Sequence, residues 1–168
     1  MINGNVYWVT GLAGAGKTTI GSALYDYIKA GNPATVFLDG DTLREAFGND
    51  LGYTLGERRE CAMRYSRLCR LLSGQGITVV CCTISMFDAV RMWNRENIHG
   101  YVEVFVRASN NTLVQRNQKG LYSGSEENVY TIDLEAELPK SPDIIIDNDG
   151  TLTPLQSAEI IIKHSTAM

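Results

Sequence analysis

The 168-residue sequence lacks the features that mark several large classes of protein. It has no apolar run of the roughly 20 residues that a membrane-spanning helix needs, and no basic segment opens a signal peptide. Histidine occurs only twice, and none of the four cysteines has a Cys-x-x-Cys spacing, which argues against a zinc site. The net charge of −4 argues against general nucleic-acid or membrane-surface binding. We therefore expect a cytoplasmic protein with reduced thiols.

Short apolar runs alternate with amphipathic stretches along the chain. The runs are continuously apolar and rich in β-branched residues, as in strands buried on both faces. The predicted strands are Val6–Thr10, Thr35–Leu38, Ile77–Thr83, Val102–Val106 and Ile144–Ile146. The predicted helices are Lys17–Ala30, Thr42–Phe47, Gly56–Ser73, Phe87–Asn97, Asn110–Gln118 and Thr153–His164. This alternation favours an α/β fold with a parallel sheet.

One long segment, at about residues 120–142, follows neither periodicity. It contains glycines, prolines and several acidic residues. A segment of this length without a pattern inside a compact domain is more often a functional lid than a disordered connection. We therefore predict a lid there.

A phosphate-binding loop follows the first predicted strand. Residues 11–18 read Gly-Leu-Ala-Gly-Ala-Gly-Lys-Thr, which fits Gly-x4-Gly-Lys-Thr, and a helical pattern comes next. The glycines let backbone N–H groups approach phosphate oxygens, and the helix N-terminus adds its dipole. Lys17 would reach the β- and γ-phosphates of ATP, and the Thr18 hydroxyl would coordinate Mg²⁺. The predicted ATP contacts are Gly11, Ala13, Gly14, Ala15, Gly16, Lys17, Thr18 and Thr19.

Two carboxylates, Asp39 and Asp41, follow the second predicted strand. The carboxyl edge of a parallel sheet is where ligands bind, so we expect both near the phosphates. One carboxylate could hold Mg²⁺ through water, a role we assign to Asp39, and the other could accept the proton of an attacking hydroxyl. The alternative is a simple turn in which Asp41 caps a helix beginning at Thr42. Beside a phosphate-binding loop we favour catalysis for the pair.

Basic residues are concentrated where an anion could bind. Arg58, Cys61 and Arg64 recur at a spacing of three, so they share one broad side of a helix. Arginine binds phosphate or sulfate through two parallel hydrogen bonds, whereas the alternative is a solvated cationic face. An arginine at the start of the lid could also stabilise charge on the transferring phosphoryl group. The residues that we assign to these roles are Arg44, Arg58, Arg91, Arg116 and Lys119.

These motifs together resemble the adenylylsulfate kinase family, whose members phosphorylate the 3′-hydroxyl of adenylyl sulfate. The resemblance covers nearly the whole chain, and its Leu-Asp-Gly-Asp and Lys-Gly-Leu-Tyr segments are more specific than the phosphate-binding loop alone. The matching segments are Gly11–Thr19, Leu38–Arg44, Leu51–Tyr53, Arg58–Cys61, Ile84–Met86 with Arg91, Arg116–Tyr122 and Glu137–Pro139.

The resemblance implies the fold of P-loop nucleoside triphosphate hydrolases, a five-stranded parallel sheet flanked by helices with a mobile lid. It implies one kinase domain over residues 1–168, using ATP and Mg²⁺ on a small nucleotide acceptor and commonly forming a homodimer. By matching position, Asp39 and Asp41 would be the Mg²⁺-binding and proton-handling carboxylates. The acceptor-binding residues would be Asp41, Arg44, Tyr53, Arg58, Cys61, Ile84, Ser85, Arg91, Lys119, Gly120, Leu121, Val129 and Tyr130.

Four departures from the family pattern concern the expected acceptor site and lid. Cys61 stands where the family has asparagine, so a weak S–H replaces an amide. Met86 replaces a proline, Asn117 replaces an aspartate, and the lid is about four residues short. Val129 falls where the family has the second of two aromatic rings that sandwich the acceptor adenine. Because stacking is worth roughly 1–3 kcal/mol per base, its loss would weaken adenine binding about tenfold or more, unless Tyr130 restores the ring.

Two acceptors therefore remain open. The first hypothesis is adenylyl sulfate, which would make the activated sulfate donor. The second is another activated nucleotide, such as a cytidine diphosphoramidate used in surface polysaccharide modification, which Cys61, Met86 and the short lid favour. A nucleotide switch is disfavoured because no guanine-specific Asn-Lys-x-Asp is present. An inactive paralogue is disfavoured because the loop lysine, its threonine and both aspartates are present.

Overall fold

A five-stranded parallel sheet forms the centre of the protein in this computed structural model, which describes residues 3–116 and 136–167. The strands are β1 (Val6–Thr10), β2 (Thr35–Asp39), β3 (Thr78–Thr83), β4 (Tyr101–Arg107) and β5 (Ile144–Asp147). Their order in the sheet is β2-β3-β1-β4-β5, and every pairing is parallel. The predicted α/β fold is therefore confirmed.

Helices cover both faces of the sheet, which explains why its central strands are continuously apolar. The helices of the described ranges are α1 (Lys17–Gly31), α2 (Gly40–Ala46), α3 (Leu55–Ser73), α4 (Asp88–Asn97), α5 (Asn110–Arg116) and α6 (Pro154–Ser165). One apolar layer lies between the sheet and the pair α1 and α6, and contains Ile20, Leu24 and Ile161. The other lies between the sheet and the pair α3 and α4, and contains Tyr65 and Val90.

The start of α2 differs from the sequence prediction. This helix begins at Gly40 rather than Thr42, and its N-cap is Asp39 rather than Asp41. The Asp39 carboxylate accepts a hydrogen bond from the Asp41 backbone N–H at 3.1 Å. Capping therefore belongs to Asp39, and the Asp41 side chain lies within the first turn of the helix.

The predicted lid lies mostly outside the described residues, as does the predicted end of α5 at Gln118. The part of the lid that is described, residues 136–142, is irregular and leads into β5. No helix in the described ranges is both long and apolar enough to cross a membrane.

Candidate active site

The phosphate-binding loop lies at the carboxyl end of the central strand β1, directly before α1. Gly14 and Gly16 have positive φ angles of 78° and 99°, a region that favours glycine. A Cβ on Gly16 would lie 2.2 Å from Asn148 Nδ2, and one on Gly11 would lie 2.3 Å from the Val106 carbonyl oxygen. The tight course of the loop therefore requires glycine at these positions. Because β1 lies between β3 and β4, the loop occupies the switch point of the sheet, where ligands bind.

Lys17, Thr18 and Asp39 are brought together at this edge. The Lys17 ammonium donates a hydrogen bond to the Leu12 carbonyl oxygen at 2.9 Å, so it lies over the loop. The Thr18 hydroxyl donates to Asp39 Oδ2 at 2.8 Å. Magnesium prefers oxygen ligands, and it commonly takes one or two protein groups together with substrate phosphates. The hydroxyl and the carboxylate fit Mg²⁺, and Thr18 and Asp39 are the residues that would hold it.

A pocket of about 120 Å³ opens on the β2–β3 side of the loop. Residues that follow β2 and β3 line it together with residues of α3. Of the predicted acceptor residues in the described ranges, all but Arg91 line this pocket. The lining residues are Gly40, Asp41, Arg44, Tyr53, Arg58, Cys61, Tyr65, Thr83, Ile84, Ser85 and Phe87.

The turn after β3 forms one wall of the pocket. Ser85 has a φ of 34°, which is uncommon for a residue other than glycine. Its hydroxyl lies 2.7 Å from the Thr83 hydroxyl in a hydrogen bond, and the Thr10 hydroxyl donates to the Ile84 carbonyl oxygen. A strained turn of this kind persists only where the surrounding structure holds it, so these hydroxyl contacts help to shape the pocket.

Tyr53 offers an aromatic face at the mouth of the pocket, with 57% of its surface exposed. The guanidinium carbons of Arg44 and Arg58 lie 4.3 Å and 5.7 Å from its ring centroid. Arg44 donates to the Leu51 carbonyl oxygen and Arg58 to the Tyr53 carbonyl oxygen, each at 2.9 Å. The exposed ring can stack on the base of a nucleotide, and the two guanidinium groups beside it can bind the phosphates of that nucleotide.

Cys61 lies on the inner side of α3, where it is 5% exposed. One turn later, the Tyr65 hydroxyl donates to the Gly40 carbonyl oxygen at 3.1 Å. Burial raises the pKa of the Tyr65 hydroxyl, and the neighbouring Cys61 adds to the rise, so the group stays a neutral donor. The sequence did not predict Gly40, Tyr65, Thr83 and Phe87 as lining residues. The spacing of four between Cys61 and Tyr65 was a signal that could have identified Tyr65.

Arg91, which the sequence assigns to the acceptor, is not among the residues that line this pocket. Its side chain is 5% exposed, pairs with Asp88 and lies with Nε 3.6 Å from Glu103 Oε1. Arg95, one turn later, donates to Glu103 Oε2 at 2.8 Å. Burial raises the pKa of the Glu103 carboxyl, while both arginines oppose that rise. A buried carboxylate on β4, which helix spacing alone cannot reveal, therefore holds Arg91 in the interior, and its assignment to the acceptor stays a prediction.

Arg116 contacts the phosphate-binding loop from the β4–β5 side. It donates to the carbonyl oxygens of Gly14 at 3.1 Å, Ala15 at 3.4 Å and Asn148 at 2.8 Å. Asn148 Nδ2 donates to the same Ala15 oxygen at 2.8 Å. In this structure Arg116 therefore braces the loop, and its action on the moving phosphoryl group stays a prediction. Asn148 was missed, although its place directly after β5 puts it at the ligand-binding edge.

A second cavity, of about 430 Å³, lies beside Arg116 and Asn148. The loop thus has one cavity on its β2–β3 side and another on its β4–β5 side, which suits transfer between two bound substrates. The residues lining the second cavity are Gly14, Gly16, Thr19, Ile20, Arg116, Asn148 and Pro154. The remaining predicted acceptor residues, Lys119, Gly120, Leu121, Val129 and Tyr130, lie outside the described residues.

We expect a Gly16→Ala substitution to weaken ATP binding by about tenfold or more, because a Cβ there meets Asn148 and the φ of 99° strains alanine. Isothermal titration with a non-hydrolysable ATP analogue measures the change. Gly31→Ala is the matched control, since no atom lies within 4 Å of a Cβ at that position. Wild-type affinity in Gly16→Ala would contradict the assignment of the loop.

Comparison with known proteins agrees with this geometry. A family model described as adenylylsulphate kinase matches residues 3–147. The chain is 37% identical over 165 residues to the cytidine diphosphoramidate kinase of Campylobacter jejuni subsp. jejuni serotype O:2, covering 96% of each protein. It is 40% identical over 148 residues to the adenylyl-sulfate kinase of Pseudomonas aeruginosa, covering 84% of this chain and 76% of that protein.

Solved structures give the same result. The APS kinase of Mycobacterium tuberculosis in complex with AMPPNP and APS superposes with a TM-score of 0.85 at 27% identity, over 98% of both chains. The family model spans the phosphate-binding loop, the pocket on its β2–β3 side and the end of β5. The chain therefore belongs to the adenylylsulphate kinase family, phosphotransferases of the P-loop kinase superfamily that act on hydroxyl acceptors.

Proposed function

We propose that the protein transfers the γ-phosphate of ATP to a ribose hydroxyl of an activated nucleotide, and that this nucleotide is a cytidine diphosphoramidate. The observation that carries the choice of acceptor is the buried Cys61 in the wall of the pocket, where the family pattern has asparagine. We place this reaction in the cytoplasm and expect a homodimer, as the resemblance to the family implies.

The two cavities support the transfer reaction. ATP phosphates would occupy the loop between them, with Lys17 over the loop and Arg116 bracing it from behind. Asp41 lines the acceptor pocket two residues after Asp39, which supports assigning its carboxylate the role of orienting an acceptor hydroxyl. Bound Mg²⁺, held by Thr18 and Asp39, would neutralise phosphate charge. The protein's own contribution is to position both substrates and exclude competing orientations.

Cys61 supports a change of acceptor base. An asparagine side chain offers two donors and an acceptor, whereas a thiol offers one weak donor. Where a buried site reads a base through hydrogen bonds, the loss of such a group changes selectivity by orders of magnitude. The Campylobacter relative, matched over 96% of its length, is a cytidine diphosphoramidate kinase, which supports the same choice.

Adenylyl sulfate is the second candidate, and Tyr53 favours it. Its exposed ring offers one stacking face for any base, adenine included, flanked by two guanidinium groups. The adenylyl-sulfate kinase of Pseudomonas aeruginosa, at 40% sequence identity, is also about as similar to this chain as the cytidine diphosphoramidate kinase of Campylobacter, at 37%.

A coupled ADP-release assay with MgATP tests the proposal. The panel comprises a cytidine diphosphoramidate, adenylyl sulfate, CDP and ADP, and the comparison uses kcat/KM. We expect the cytidine diphosphoramidate to be preferred by about tenfold or more over adenylyl sulfate. A preference for adenylyl sulfate would show that the second candidate is correct. Turnover of no activated nucleotide would contradict the proposal as a whole.

We expect Cys61→Asn to shift the ratio of kcat/KM values toward adenylyl sulfate by about tenfold, because it restores the amide of the family pattern. Cys61→Ala is the matched control, since it removes the thiol without supplying an amide, and should leave the ratio within about threefold of the wild type. An unchanged ratio in Cys61→Asn would remove this position from acceptor selection.

A further inference from the structure

The first turn of α4 is capped from a distant part of the chain. The N-cap residue Phe87 supplies no side-chain hydrogen bond to the helix. Instead, the Asp88 backbone N–H donates to Glu137 Oε2 at 2.6 Å, across 49 positions in sequence. A carboxylate at a helix N-terminus satisfies an orphan N–H group and interacts favourably with the helix dipole. Glu137 therefore takes the place of a local cap.

A buried arginine holds the backbone of Glu137 in the same place. Arg91 donates to the Glu137 carbonyl oxygen and pairs with Asp88, one turn earlier on α4. Its own position is fixed by Glu103, whose side chain is 3% exposed. Both the carboxylate and the backbone carbonyl oxygen of Glu137 thus accept hydrogen bonds from α4, so the position of Glu137 is fixed at two points.

The capped turn of α4 directly follows residues that line the acceptor pocket. Ser85 and Phe87, which line the pocket, immediately precede the capped turn. The Phe87 backbone N–H donates to the Ser85 carbonyl oxygen at 2.9 Å, which closes the turn at the strained Ser85. The hydroxyls of Thr10 and Thr83 hold the strand end of this turn. Glu137 holds its helix end, so the turn is fixed from both sides.

We propose that Glu137 is a positioning residue for the acceptor: its carboxylate fixes the first turn of α4 and thereby places Ser85 and Phe87 in the pocket. The inference rests on the proposed function, since it takes this pocket to be the acceptor site. The phosphate-binding loop is held by separate contacts, from Arg116 and Asn148. Loss of the cap should therefore affect the acceptor and spare ATP.

The test compares three variants of the full chain. Glu137→Leu removes the accepting oxygen, and Glu137→Gln keeps an oxygen that can accept from Asp88. Lys140→Ala is the matched control, because Lys140 pairs with the same Asp88 at 2.9 Å but its side chain is 82% exposed. Glu137 is itself exposed, so the variants are expected to fold.

We expect Glu137→Leu to raise the acceptor KM about fivefold to tenfold, with the ATP KM within about twofold of the wild type. Glu137→Gln should restore most of the acceptor affinity, and Lys140→Ala should match the wild type. Equal changes in both KM values would overturn the proposal, because a general loss of structure affects the binding of both substrates alike. No change in either KM value would also overturn it, because the cap would then have no effect on the pocket.

Amide hydrogen exchange of the ligand-free protein gives a readout independent of turnover. The Asp88 amide should exchange faster in Glu137→Leu than in the wild type or in Lys140→Ala. Unchanged exchange would overturn the cap and the proposal with it. If the wild-type protein turned over no acceptor, the proposed function would fail by that result, whereas faster exchange at Asp88 would still support the cap.

Discussion

Lys17→Ala is expected to lower kcat by about a thousandfold or more with any acceptor. The Lys17 ammonium lies over the phosphate-binding loop, 2.9 Å from the Leu12 carbonyl oxygen, where the γ-phosphate would be held. Phosphoryl transfer spreads negative charge over the equatorial oxygens of the moving group, and a fixed cation at that position lowers the barrier. The coupled ADP-release assay measures the loss.

Lys29→Ala provides the control for Lys17→Ala within the same helix. Lys29 lies in the last turn of α1 and donates to the carbonyl oxygens of Pro33 and Thr35 at 2.8 Å and 2.9 Å. Its removal should leave kcat within about twofold, because it lies at the far end of α1 from the loop. Near-normal turnover by Lys17→Ala would mean that the loop does not hold the phosphates of the donor.

Asp41→Asn is expected to lower kcat about a hundredfold or more while ATP binding stays largely intact. Asp41 lines the acceptor pocket, whereas the neighbouring Asp39 accepts hydrogen bonds from the Thr18 hydroxyl and the Asp41 N–H. An asparagine at position 41 keeps the shape of the side chain and loses its capacity to accept a proton. Steady-state kinetics and ATP titration of the same preparation separate the two effects.

Asp39→Asn separates the roles of the two carboxylates. Because Asp39 and Thr18 would hold Mg²⁺, this substitution should raise the Mg²⁺ concentration needed for half-maximal rate, and Asp41→Asn should not. If Asp41→Asn turned over at the wild-type rate, Asp41 would have no catalytic role, and proton acceptance would have to be assigned elsewhere.

The positions of strands and helices were predictable from the sequence because their signals are local. The run Val6–Thr10 is buried throughout, and the phosphate-binding motif follows it at the expected edge. The N-cap at Asp39 was missed because Asp39 and Asp41 are both good caps, and only the backbone conformation decides between them. Such errors move a boundary by a turn or less and leave the fold unchanged.

Most of the residues that line the pocket beside the phosphate-binding loop were predictable, because the family motifs place them at strand ends and on one face of α3. Contacts between distant segments were not. Arg91 was assigned to the acceptor, although Glu103 on β4 holds it in the interior. The cap from Glu137 to Asp88 spans 49 positions, and no periodicity or spacing rule reaches that far. Pairings of this kind are set by tertiary packing rather than by local pattern.

The most direct test of the central claim is to identify the product. The protein is incubated with MgATP and a cytidine diphosphoramidate, and the mixture is analysed by ³¹P NMR and mass spectrometry. We predict one ADP for each new phosphomonoester on the ribose of the acceptor, with the activated phosphoramidate group unchanged. ADP accompanied only by inorganic phosphate, or phosphate attached to the activated group instead of the ribose, would contradict the proposal that this pocket presents a ribose hydroxyl to the γ-phosphate.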